Sequence, residues 1–142
     1  MRRGISGLIL LVLTIALVGC SSKSLTVKDL WARQATAGEN GGAYFTIDNP
    51  TNQADTLLGV SSPAAQTSEM HMTMVGSDGV MSMTPQESVP VPAKGTTEFK
   101  PGGLHVMMIN LQRDLNAGDT VSLTLKFEKA GEITVNGTVR EP

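Results

Sequence analysis

Cysteine is almost missing from this sequence: its 142 residues hold one, Cys20. From residue 21 onward the chain has no thiol to form a disulfide, attack a substrate or bind a metal as thiolate. A surplus of positive charge is missing too. Eleven Lys and Arg face 13 Asp and Glu, a formal net charge of −2. Nucleic acid wants a basic patch, so it is not an expected partner. Helical periodicity is absent: no window of about a dozen residues keeps a 3.6-residue apolar spacing. Paired carboxylates with a catalytic logic are also lacking. Asp29, Asp48, Asp55, Asp114 and Asp119 stand mostly in turn or edge contexts. Nothing supports a Ser/His/Asp site, and no enzyme is expected.

What is present begins with an apolar leader. Residues 1–20 read MRRGISGLILLVLTIALVGC. A charged start, a short apolar run and small residues before a cut site mark a secretory signal. The run over residues 5–18 is shorter than the ~20 residues a spanning helix wants. The ending LVGC resembles the lipobox of bacterial lipoproteins, in which signal peptidase II cuts before the cysteine and the cysteine carries lipid. The resemblance implies a signal peptide over residues 1–19, lipid on Cys20, a short polar tether over residues 20–24 and one domain over residues 25–142. The expected location is a bacterial membrane surface, with the domain facing the periplasm or the cell exterior. Cleavage would remove Arg2 and Arg3, leaving 9 basic against 13 acidic residues in a chain of 123, a net charge of −4. That length suits one domain with a real core.

The rest reads as all-β. Candidate strands lie at 26–34, 43–49, 56–61, 67–75, 80–84, 95–99, 104–111, 120–128 and 132–140. In TVSLTLKFE the alternation puts Val121, Leu123, Leu125 and Phe127 on one face. Turn residues separate the runs, as in GENGG, GSDG, KPGG and KAGE. About eight or nine short strands at this spacing suggest a Greek-key β-sandwich or small barrel. Trp31 and Tyr44 are expected in the core or at its edge.

Methionine and histidine are the unusual content. Seven of the eight methionines lie between Met70 and Met108, and both histidines, His71 and His105, lie among them. Thioether is a soft, uncharged ligand that suits Cu(I), and imidazole suits several transition metals. Such a set is unusual for zinc and poor for calcium or magnesium. Alternate residues of a strand share a face, so His105 and Met107 are neighbours about 7 Å apart at Cα, while Val106 and Met108 point to the core. In the earlier strand His71 shares its face with Glu69 and Thr73. Met70, Met72 and Met74 lie opposite, where the simplest expectation is core packing. Met81 and Met83 share a face, and spacing alone does not choose between them. The loop VGSDGV decides which face that is. A two-residue Asp78-Gly79 turn would set Met83 beside Met72 and Met74. A three-residue loop Ser77-Asp78-Gly79 sets Met83 opposite Thr73, on the face of His71. Asp-Gly is a favoured pair for the two-residue turn, so the residue types alone leave the face of Met83 open.

His71, Met72, ten residues, Met83, twenty-one residues, then His105-Val106-Met107 reproduces the spacing of a known pattern. Together with GGAYFTIDNPTNQADTLLGVSSPAA, GVMSM and KPGGLHVMMINL, it resembles the PCuAC family of periplasmic Cu(I) chaperones over about residues 25–139. The resemblance implies a cupredoxin-like sandwich with one solvent-accessible Cu(I) site. By position its ligands would be His71, Met83, His105 and Met107, with Met72 as a possible auxiliary ligand. A site using both His71 and Met83 requires the odd-length loop or a compensating bulge, and that is what we expect. It also implies delivery of Cu(I) to the copper-site subunit of a cytochrome oxidase, beside a thioredoxin-like assembly protein, by a monomeric carrier. The absent cysteine separates such a carrier from blue-copper electron carriers, whose sites need a thiolate. Two further readings remain: a lipoprotein that sequesters copper for tolerance, and a structural β-sandwich lipoprotein whose methionines only fill a core.

Overall fold

The computed structural model describes residues 23–141. The leader and Cys20 lie outside the described residues. The strands are β1 (Thr26–Arg33), β2 (Gly41–Asn49), β3 (Asp55–Ser61), β4 (Ala65–Val75) and β5 (Met81–Gln86), followed by β6 (Val89–Val91), β7 (Gly95–Phe99), β8 (Leu104–Leu111), β9 (Thr120–Phe127) and β10 (Glu132–Arg140). Among the described residues there is no helix, in keeping with the all-β expectation.

Among the described residues ten strands are present where eight or nine were expected. The additional one is β6, whose sequence VPV followed by Pro92 carries turn signals rather than strand signals. It sits at one end of the sheet and pairs only with β3, Pro90 opposite Thr56. Proline has no N–H to donate, so an edge is where a strand can hold it.

The strands hydrogen-bond in the order β5-β4-β8-β2-β1-β10-β9-β3-β6, and β7 runs along the far half of β2. The path has two free ends, β5 and β6, so the sheet is not closed. It doubles over until β3 packs on β4 and β6 on β7. Between the layers lies the core, in which Phe45 and Phe99 stack with ring centres 4.3 Å apart. The expected inward face of β9 is there: Val121, Leu123, Leu125 and Phe127 are at most 2 % exposed. A bulge in β1 matters for the site. Asp29 has φ 58, and the register against β2 shifts between Lys28 and Trp31. Beyond the bulge Trp31 lies opposite Tyr44, and β10 joins in parallel.

Asp55 is buried at the start of β3, where its carboxylate accepts N–H bonds from Thr56 (2.7 Å), Lys129 (2.9 Å) and Ala130 (2.9 Å). It ties β3 to the β9–β10 turn. Burial alone would raise its pKa, but the bonds from Lys129, Thr56 and Ala130, with the Lys129 charge, leave it below the ordinary value. A carboxyl with a lowered folded-state pKa stabilises fully above the unfolded value of about 3.9 and loses that contribution as pH falls through the folded value. Asp55→Asn is expected to lower unfolding stability by roughly 1–2 kcal/mol at neutral pH. The difference should shrink in strong acid. Urea unfolding across the pH range checks both.

Candidate metal centre

The centre is built on three neighbouring strands, β5, β4 and β8. His71 of β4 lies directly opposite His105 of β8, and Glu69 lies opposite Met107. On the other side of β4, Thr73 lies opposite Met83 of β5. Directly paired residues share a face, so the two histidines occupy the middle and the two thioethers flank them on diagonals of about 7–8 Å. A methionine side chain spans that gap.

The β4–β5 turn sets this register. The Gly76 N–H donates to the Val80 carbonyl (2.9 Å), and the Gly79 N–H donates to the Gly76 carbonyl (2.9 Å). Ser77-Asp78-Gly79 is therefore a three-residue loop, and Gly79 takes the left-handed conformation it needs, with φ 78. Asp78 steadies it by accepting the Val80 N–H at 3.1 Å. The expected odd-length loop is present, and Met83 stands on the face of His71.

The other methionines divide by strand alternation. Val106 and Met108 are fully buried in the core and Met70 is 4 % exposed. Met74 corrects the expectation of core packing: it is 57 % exposed, because β4 runs past the edge of the core into the hairpin tip. Met72 is half-buried between Leu104 and Thr84, on the face of β4 away from His71. Met72→Leu is therefore expected to change metal affinity less than about 2-fold, as a swap of similar volume on the wrong face. Competition titration against a chromophoric chelator measures it.

Both histidines are buried, at 8 % and 7 % exposure, with ring centres 5.8 Å apart. Metal–nitrogen bonds of about 2.0 Å allow two imidazole centres bound to one ion to stand up to about 6.4 Å apart, so the pair fits a shared ion. His71 Nε2 is 2.9 Å from Glu69 Oε2, while its Nδ1 is buried with no hydrogen-bond partner among the described residues. Buried polar atoms are normally paired, and an unpaired ring nitrogen on the histidine that lies opposite His105 suits a metal ligand. His105 Nδ1 is 3.0 Å from the Gly103 carbonyl. No group of three or more His, Cys, Asp or Glu is gathered anywhere among the described residues, so these residues offer a soft His/Met set and no carboxylate cage.

His105, Met107, Met83 and Met81 line one open cleft of about 410 Å³ with Arg33 and Tyr44. Met83 is 55 % exposed, so this side of the centre faces solvent. Gly42 lies opposite Met107, and a Cβ there would come within 2.8 Å of the Tyr44 hydroxyl. Its missing side chain lets the Tyr44 ring lie along the cleft wall. Trp31 backs that ring at 4.5 Å, and the Arg140 guanidinium lies 5.3 Å from the centre of Trp31. The Gly103 carbonyl and this aromatic wall escaped sequence reasoning. Glu69 was visible there only as a neighbour on the face of His71.

An all-β domain carrying an open His/Met centre at one edge is thus the class of protein that fold and site define. The family model described as "Putative lipoprotein LpqE-like" matches residues 25–139, and the chain belongs to that family. In the curated "Putative lipoprotein Lxx21020" of Leifsonia xyli subsp. xyli, 25 % of 123 aligned residues are identical, over 87 % of this chain and 74 % of that protein. Among solved structures, the copper-bound PCuAC domain from PmoF2 matches with a TM-score of 0.70 at 25 % identity, covering 84 % of this chain and 95 % of that domain. Cu(I)-bound DR1885 from Deinococcus radiodurans matches with a TM-score of 0.60 at 30 % identity, covering 85 % of this chain and 83 % of that one. The fold is PCuAC-like, an all-β cupredoxin-like arrangement.

Proposed function

We propose that the protein is an exported Cu(I) carrier, held at a bacterial membrane by lipid on Cys20. It binds one Cu(I) through His71, Met83, His105 and Met107 and delivers it to the copper site of a respiratory oxidase. The observation that carries this reading is the β4–β5 register, which sets Met83 on the face of the opposed pair His71 and His105. The buried Nδ1 of His71, which has no hydrogen-bond partner among the described residues, supports it. So does the likeness to two domains described as copper-bound, and the family's lipoprotein description agrees with the leader.

The donor set suits the task. Four neutral ligands stabilise a soft monovalent ion without binding it irreversibly. The exposed thioether of Met83 is the ligand an incoming donor can displace first. Transfer then proceeds by ligand exchange, with no change of oxidation state. No general acid, base or nucleophile is needed, which agrees with a non-enzymatic role.

Anaerobic titration of the purified protein should show one Cu(I) per chain, held more tightly than Zn(II). Equal or tighter zinc binding would contradict the ligand set. Delivery is tested separately in cells: loss of the gene should lower oxidase activity when copper is scarce. Raised copper sensitivity with normal oxidase would favour sequestration instead.

A further inference from the structure

We propose that Glu69 is a positioning residue that decides which nitrogen of His71 meets the metal, so that the two histidines bind through different ring atoms. The inference rests on the copper reading above and adds the choice of nitrogen. An ionised carboxylate can only accept hydrogen bonds, so the contact of 2.9 Å makes His71 Nε2 the donor and gives it the hydrogen. The neutral ring then has its lone pair on Nδ1, the buried atom that no described residue contacts through a hydrogen bond. His105 is arranged in reverse. The Gly103 carbonyl also only accepts, so the contact of 3.0 Å puts the hydrogen on Nδ1 and leaves the lone pair on Nε2.

Two directly opposed histidines are thus held as opposite tautomers. Each offers one lone pair, and each has its other nitrogen tied down. Cu(I) meets Nδ1 of His71 and Nε2 of His105. Partners of this kind orient a ligating imidazole and raise its basicity. Glu69 suits the part because its side chain is 45 % exposed and reaches the ring along its own strand, two residues away. Its removal leaves no cavity in the core.

Two substitutions separate positioning from direct ligation or a mere field effect. The amide oxygen of Glu69→Gln can accept the same hydrogen bond, so its Cu(I) affinity is expected within about 3-fold of the parent. Glu69→Ala is expected to lose about 10- to 100-fold, the usual cost of removing such a partner. Nitrogen-15 spectra of the metal-free protein at mildly alkaline pH should show His71 as the Nε2–H tautomer and His105 as the Nδ1–H tautomer. Cu(I) should then perturb Nδ1 of the first and Nε2 of the second. His71 found with its hydrogen on Nδ1, or Glu69→Ala binding like the parent, overturns the assignment. Glu69→Gln falling as far as Glu69→Ala would make Glu69 a ligand or a charge rather than a positioning group, and overturns it too. The metal-free spectra stand apart from copper binding. Opposed tautomers in a protein that takes up no Cu(I) would refute the copper reading while leaving the hydrogen-bond assignment upheld.

Discussion

His105→Ala should weaken Cu(I) binding by more than about 100-fold, beyond the 10–100-fold that loss of an outer partner costs. His105 is the only candidate ligand that combines a central place opposite His71, a neighbouring thioether on its own strand and a nitrogen already tied to the Gly103 carbonyl. Its loss removes one ligand of the proposed four and frees Met107 from its chelating neighbour. Met107→Leu should act in the same direction but less strongly, because thioether is the weaker donor. Stability should change little in the second case, since the side-chain volume is nearly kept and Met107 is half-buried. Acid should also weaken binding, because protons compete with the metal for both imidazoles, and thioether ligands do not titrate. Anaerobic competition titrations with each variant read these changes. Parent-like affinity in His105→Ala would remove the site from β8.

The strands of this protein were legible because their burial is regular. In β9 strict alternation matches strict inward packing, and in β8 the same alternation separates Val106 and Met108 from His105 and Met107. Alternation failed where the environment changed along one strand. Met70 and Met74 share a face of β4, yet the first is buried and the second exposed, because the hairpin projects past the core. The strand β6 was hidden for a different reason: its edge position relaxes the demand for backbone donors, so prolines can occupy it. The four candidate ligands were legible only through the likeness of their spacing to the family pattern; that their strands are neighbours comes from the sheet order. The hydrogen bonds that His71 and His105 donate to Glu69 and to the Gly103 carbonyl depend on ring orientation, which no spacing encodes.

Deleting Val80 should abolish the high-affinity site while the domain stays folded. Val80 is 61 % exposed at the hairpin tip, so little burial is lost with it. With Ser77-Asp78-Gly79 kept as the loop, Gly76 would then lie opposite Met81, and Met83 would move from Thr73 to Met74. A one-residue slip turns every side chain of β5 to the other face. Met83 would leave the face of His71, and Thr84 would take its place opposite Thr73. A loss of at least about 10-fold in Cu(I) affinity is expected, since even an outer partner costs that much. Two further variants make the test specific. Deleting Ser77 shortens the same loop but leaves Asp78-Gly79, a favoured two-residue turn that preserves the pairing of Gly76 with Val80. That deletion should bind copper like the parent. Adding Thr84→Met to the Val80 deletion puts a thioether back opposite Thr73 and should restore affinity. Equal loss in both deletions would mean that the loop itself, and not the face of Met83, governs binding. Retained affinity in the Val80 deletion, with the slipped register verified by cross-strand contacts in solution, would remove Met83 from the ligand set. The parity of one three-residue loop is then what makes a methionine-rich hairpin at a sheet edge part of the proposed metal site.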